Sequence, residues 1–177
     1  MIKKKNIFVI IGSASKNSAN EKLINHFAKS TKEFFNLTIF KDLKTIPHFN
    51  PELSTENTPI EITEFRDNIK NANGIIICTP EYVFSIPSGL KNCIEWCVST
   101  TVFTDKIIGI ITASASGEKG HEELQLIMKT VMAKFIDQTT LLIPGIKGKI
   151  NEDGEITDHK TITDLSKFTK AFKSLLN

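Results

Sequence analysis

The chain has 177 residues, 40% hydrophobic and 24% charged, with 22 Lys+Arg against 20 Asp+Glu for a formal net charge of +2. That length is one domain, residues 1–177, long enough to bury a core without a disulfide or metal staple. The balance excludes disordered, collagen-like and disulfide-rich chains, and near-neutrality argues against a strongly electrostatic nucleic-acid binder or an acidic electron carrier that docks on basic partners.

Lys3–Lys5 precede the apolar run Ile7–Ile11, which Gly12 stops. Five residues are too few for a secretory signal core, and no later run is long enough to span a membrane. The run reads as a strand buried on both faces, as in a parallel sheet. A small, polar loop follows over residues 12–20, then a helix over 21–34 with Leu23, Ile24, Phe27, Ala28 and Phe34 inward, then a short strand over 37–40. This is a strand–helix–strand unit. Residues 41–59 carry Pro47, Pro51 and Pro59 without periodicity and form a long loop, a place where function often resides.

The spacing then predicts a helix over 60–71, a buried strand over 74–79, a loop over 80–88 and a helix over 89–98. A strand over 106–112 follows. After the loop 113–120 comes a helix over 121–135 with Leu124, Ile127, Met128, Val131 and Met132 inward. A last strand spans 139–143, Asn151–Glu155 make a turn, and Leu165, Phe168, Phe172 and Leu175 mark a closing helix over 161–176. Five strands alternating with about five helices give an α/β fold, a five-stranded parallel sheet with helices on both faces.

Cys78, Cys93 and Cys97 are odd in number, and Cys93 and Cys97 have helical spacing, so they read as buried free thiols of a reducing, cytoplasmic compartment. No His pair completes a zinc site. Arg66 is the only arginine, so an anion site must lean on backbone N–H groups, hydroxyls and lysine.

In such sheets ligands bind beyond the carboxyl ends of the strands, which directs attention to loops 12–20, 79–88 and 113–120. The first offers Ser13, Ser15, Lys16, Ser18 and Asn20 just before a helix, where free N–H groups and the helix dipole favour a phosphate. It has neither a Walker A pattern nor G-x-G-x-x-G, so a mononucleotide phosphate suits it better than a pyrophosphate; Ser and Asn also serve as plain helix caps. The second carries Tyr82, the only tyrosine, with Phe84, suited to a planar ring or to packing an interface. The third, Ser114, Ser116 and Gly117 within Ala113–Gly120, lets backbone approach a ligand closely or simply joins strand to helix. His26 and His121 read as helix-surface residues rather than catalysts, His121 standing near the third loop, where a hydride donor would approach; His48 lies in the long loop.

Gly12-Ser13 … Ser18-Ala19-Asn20, Thr79-Pro80-Glu81-Tyr82 … Ser85-Ile86-Pro87 and Leu90-Lys91-Asn92 … Glu95-Trp96 resemble the NADPH-dependent FMN reductase family, as do Pro47-His48-Phe49-Asn50 and Asp153-Gly154-Glu155-Ile156. The resemblance implies a flavodoxin-like three-layer sandwich with noncovalent FMN and NADPH or NADH as hydride donor. It implies a small-molecule electron acceptor of the quinone, azo, flavin or metal-oxyanion kind, and a homodimer or dimer of dimers. It places the phosphate at Gly12, Ser13, Ser15, Lys16, Ser18 and Asn20, and the flavin ring at Pro80, Glu81, Tyr82, Val83 and Phe84 opposite Ser114, Ser116 and Gly117. No acid–base catalyst is named, because the cofactor carries the chemistry. Ser15 stands where the family usually has Arg, Val83 where it usually has Asn, and residues 116–119 lack its paired glycines. The alternatives are a flavodoxin-like electron carrier and a flavin-free interaction protein of the same fold.

Overall fold

The computed structural model describes residues 3–177. Five strands, β1 (Lys5–Ile11), β2 (Phe35–Phe40), β3 (Gly74–Thr79), β4 (Ile107–Ser114) and β5 (Thr140–Pro144), pair in the order β2-β1-β3-β4-β5, all parallel. Five helices alternate with them: α1 (Ala19–Thr31), α2 (Ile60–Asn71), α3 (Ser88–Glu95), α4 (Glu118–Thr130) and α5 (His159–Leu175).

The two faces follow from the period of a strand. Phe8 and Ile10 point to one side, where they join Ile62, Phe65 and Ile69 of α2, Leu90 of α3 and Leu124 and Met128 of α4. Ile7, Val9 and Ile11 point to the other and meet Leu23, Ile24 and Phe27 of α1 and Leu165, Phe168 and Phe172 of α5. Both faces being covered explains why the strands read as continuous apolar runs. All three cysteines are free and buried.

Three elements differ from the sequence reading. Phe34 lies outside α1, which ends at Thr31; its N–H donates to the Thr31 carbonyl and its ring takes the Lys173 ammonium at 3.6 Å. α3 stops at Glu95, so Cys97 sits in the turn beyond it. The largest difference is α4, which starts at Glu118 and stops at Thr130 rather than running over 121–135. Residues past it find better backbone partners at the foot of β4: Lys134 N–H donates to Lys106 O at 2.9 Å and Lys134 O accepts from Ile108 N–H at 2.8 Å. Turning there puts Met132 in the left-handed region at φ 59° and leaves its side chain 60% exposed, not inward.

Candidate functional site

The sheet order reverses direction at β1 and β3, and the loops leaving those strands open a crevice at the carboxyl edge. At its floor the Gly12 N–H donates to Cys78 O at 2.8 Å, and a Cβ on Gly12 would collide with the Thr79 hydroxyl. Glycine is therefore required by the close approach of the two strand ends.

The chain then loops from Ser13 to α1. Ser18 caps α1, its Oγ accepting from the Glu21 N–H at 3.1 Å; buried Ser13 accepts from the Ser15 N–H at 3.3 Å. The backbone N–H groups of Lys16, Ser18, Ala19 and Asn20 find no acceptor among the described residues. Such a cluster of unpaired donors at a helix N-terminus forms a cradle chemically suited to an anion. The Ser18 hydroxyl accepts for the cap and keeps its proton to donate outward. Asn20 behaves differently: its buried amide donates to Ala113 O at 3.0 Å and its Oδ1 accepts from the Cys78 thiol at 3.3 Å. The Asn20 side chain thus ties β3 to β4, leaving the backbone N–H for the cradle.

Beyond β3, Tyr82 and Ser85 close a two-residue hairpin, with Tyr82 N–H to Ser85 O at 2.9 Å and Ser85 N–H to Tyr82 O at 3.1 Å. The two residues at its tip, Val83 and Phe84, have φ of 52° and 59°. That turn favours Asn-Gly, and a β-branched residue there is strained. The strain is held by α4. Glu81 sends its carboxylate to the N–H groups of Gly120 (2.8 Å) and Gly117 (3.4 Å), while its own N–H donates to Ser114 Oγ at 3.1 Å. Glu123 accepts from Ser85 Oγ at 2.6 Å and from the Ile86 N–H at 2.9 Å. Because the N-cap of α4 is Gly117, with no side chain, Glu81 supplies the cap from another loop. No short-range pattern in the sequence marks either carboxylate for this task.

Two cavities flank the loop over residues 12–20, of about 800 and 970 Å³. Ser13, Ser15, Lys16, Ser18 and Tyr82 line both. The smaller adds Asn20, Pro80, Glu81 and Ser114 from the sequence reading; the larger adds Gly12. Val83, Phe84, Ser116 and Gly117 line neither, and Val83 is 94% exposed. Two further walls are the turn Gly145–Gly148 after β5, which the sequence reading missed although Pro144-Gly145 signals it, and Lys41–His48 of the long loop, facing the start of α3.

His121 is a correction. It is buried, not on a helix surface, and its Nδ1 lies 2.8 Å from Thr112 Oγ1 of β4. Burial pushes its imidazole below the ordinary histidine range, with Glu122 pulling weakly the other way. Arg66 is also committed elsewhere, bridging the carbonyls of Ser54 and Trp96. Burial holds the Cys93 and Cys97 thiols up at about 12, and raises Cys78 further, so none of the three is a nucleophile. No cluster of His, Cys, Asp and Glu among the described residues could hold a metal ion.

A family model described as NADPH-dependent FMN reductase matches residues 5–147. The chain is 27% identical over 174 residues to the NADH:(hydroxy)cinnamate reductase subunit CrdA of Vibrio ruber, covering 94% of this chain and 85% of that one. It is 25% identical over 181 residues to a quinone reductase of Escherichia coli, covering 97% and 95%. Its fold matches that of FerB, a flavoenzyme NAD(P)H:(acceptor) oxidoreductase from Paracoccus denitrificans, with a TM-score of 0.79 at 23% identity and 97% of each chain covered.

Proposed function

Because the chain belongs to the NADPH-dependent FMN reductase family, we propose that it is an FMN-dependent NAD(P)H oxidoreductase passing electrons to a small acceptor, a quinone in the first place. The observation that carries the reading is the cradle of unpaired N–H groups at the start of α1, beside two cavities of mononucleotide size at the switch point of the sheet. The donor set fits FMN: N–H groups, the Ser13, Ser15 and Ser18 hydroxyls and one lysine suit a phosphate, and the irregular Pro80–Tyr82 and Ser114–Ala115 segments suit the polar edge of a flavin ring. Bound FMN supplies the centre that takes a hydride and gives up electrons.

The protein's residues bind and orient. Lys16 replaces the arginine usual in this family as a flexible point charge, and Glu81 and Glu123 hold the ring loop in place. Asn20 fixes the spacing of β3 and β4 beneath the ring. Val83 and Phe84 lie on the outer side of the loop, an apolar tip for a second copy to cover in a homodimer or dimer of dimers. Among the described residues no helix is long and apolar enough to cross a membrane. Buried free thiols favour a cytoplasmic location.

One observation favours a second reading, electron delivery to a partner protein: the Vibrio ruber relative is a reductase subunit. The test begins with colour. Purified protein should be yellow, release FMN on denaturation and oxidise NADH or NADPH with a quinone present. Colourless protein that fails to bind added FMN refutes both readings.

A further inference from the structure

The histidine at position 48 is presented in a way the fold does not need. It lies in the long segment between β2 and α2, where only two short 3₁₀ turns, Leu43–Thr45 and Pro51–Leu53, break irregular chain. Its neighbours are pinned on both sides. The Pro47 carbonyl accepts from Asn92 Nδ2 at 2.9 Å and from Trp96 Nε1 at 2.8 Å. The Phe49 N–H donates to Asn92 Oδ1 at 2.7 Å, and the Phe49 ring meets Trp96 edge-on at 5.4 Å. Between these clasps His48 makes no hydrogen bond among the described residues, is exposed and lines the larger cavity. Ordering an irregular segment costs conformational entropy, and here it leaves one imidazole at a cavity wall.

That cavity is shared with Tyr82 and the phosphate loop, so an occupant there lies beside the proposed flavin. Its other charged walls carry both signs: Glu21 pairs with Lys41 and Glu95 with Lys91, while Lys16, Lys44 and Asp42 form no ion pair among the described residues. The donors His48, Lys16 and Lys44 suit an oxygen that gains negative charge.

Resting on the flavoenzyme reading above, we propose that His48 contacts the electron acceptor, donating a hydrogen bond to a quinone carbonyl oxygen and passing it a proton as the ring is reduced. The balance is simple. A quinone becomes a hydroquinone by taking two electrons and two protons. A hydride from the reductant accounts for both electrons and one proton, and His48 supplies the other to the second oxygen. The imidazole is left neutral and takes a proton back from solvent, to which it is exposed. Imidazole is the side chain suited to this exchange near neutral pH.

The test compares wild-type protein with His48→Phe, a substitution at an exposed position that the core does not feel. FMN-loaded protein is assayed with 1,4-benzoquinone and with ferricyanide, which takes single electrons and no proton. The expected result is a tenfold or greater loss of kcat/KM for the quinone with ferricyanide reduction unchanged. Separately, calorimetry of hydroquinone binding should show at least threefold weaker affinity in the variant, an outcome that needs no turnover. Equal loss with both acceptors, unchanged quinone kinetics or unchanged hydroquinone affinity would each overturn the role of His48. Wild-type protein that NAD(P)H cannot reduce overturns the flavoenzyme reading instead, and the hydroquinone titration still decides whether His48 meets an acceptor.

Discussion

Replacing Glu81 with alanine tests the brace between the loop after β3 and α4. The carboxylate caps two N–H groups that no other acceptor among the described residues serves: Gly120 at 2.8 Å and Gly117 at 3.4 Å. The longer contact contributes little. The shorter is a bond to a charged acceptor, worth about 1.5–3 kcal/mol, and Glu81 is half-buried, which argues for the lower part of that range. The favourable position at the helix N-terminus adds a few tenths. Glu81→Ala should therefore cost about 2 kcal/mol, and a chain of this size loses roughly 2–4 °C per kcal/mol, so the melting temperature should drop by about 4–8 °C. Glu81→Gln keeps one acceptor oxygen but no charge and should cost about half as much. Thermal melts followed by far-UV circular dichroism read both variants, and an FMN titration should weaken in the same order. A Glu81→Ala melting temperature within about 1 °C of wild type, or equal losses for Ala and Gln, would refute the capping argument.

Ser18→Ala removes the α1 cap and a phosphate donor together, so stability should fall by about 1 kcal/mol and FMN affinity by about fivefold; an unchanged FMN titration would remove Ser18 from the cofactor site. Val83→Asn places a residue tolerant of positive φ where Val83 sits at 52°, so urea unfolding should show a gain of about 1 kcal/mol, and a loss would show that the turn is not strained. His121 binds its proton less readily when folded than when unfolded. Its contribution to stability is thus complete above about pH 6.5 and is lost as pH falls through its lowered folded value. The urea midpoint should decline on acidification less steeply in His121→Gln than in wild type, and parallel pH profiles would refute the assignment.

The sequence alone determined the strands and most of the helices, because a parallel strand buried on both faces must be a continuous apolar run and an amphipathic helix must repeat near every fourth residue. Ile7–Ile11, Ile75–Cys78 and Ile107–Ile111 are legible for that reason, and with them the loops where ligands gather. The small, polar loop over residues 12–20 was legible too, since its hydroxyls and lysine come from one short stretch of chain. Tertiary structure decided what depends on distant partners. That the Asn20 amide ties β3 to β4 is set by Ala113 and Cys78, far from it in the chain. That the Glu81 carboxylate caps α4 is set by Gly117 and Gly120, more than thirty residues on. The segment 131–135 has helical spacing, yet the foot of β4 offers its backbone better hydrogen bonds than another helical turn. The cavity wall at His48 rests on Asn92 and Trp96, more than forty residues away in the chain. Local periodicity reports which face of an element is buried; hydrogen-bond partners across such separations are chosen only when the sheet closes and burial makes every unpaired polar group costly.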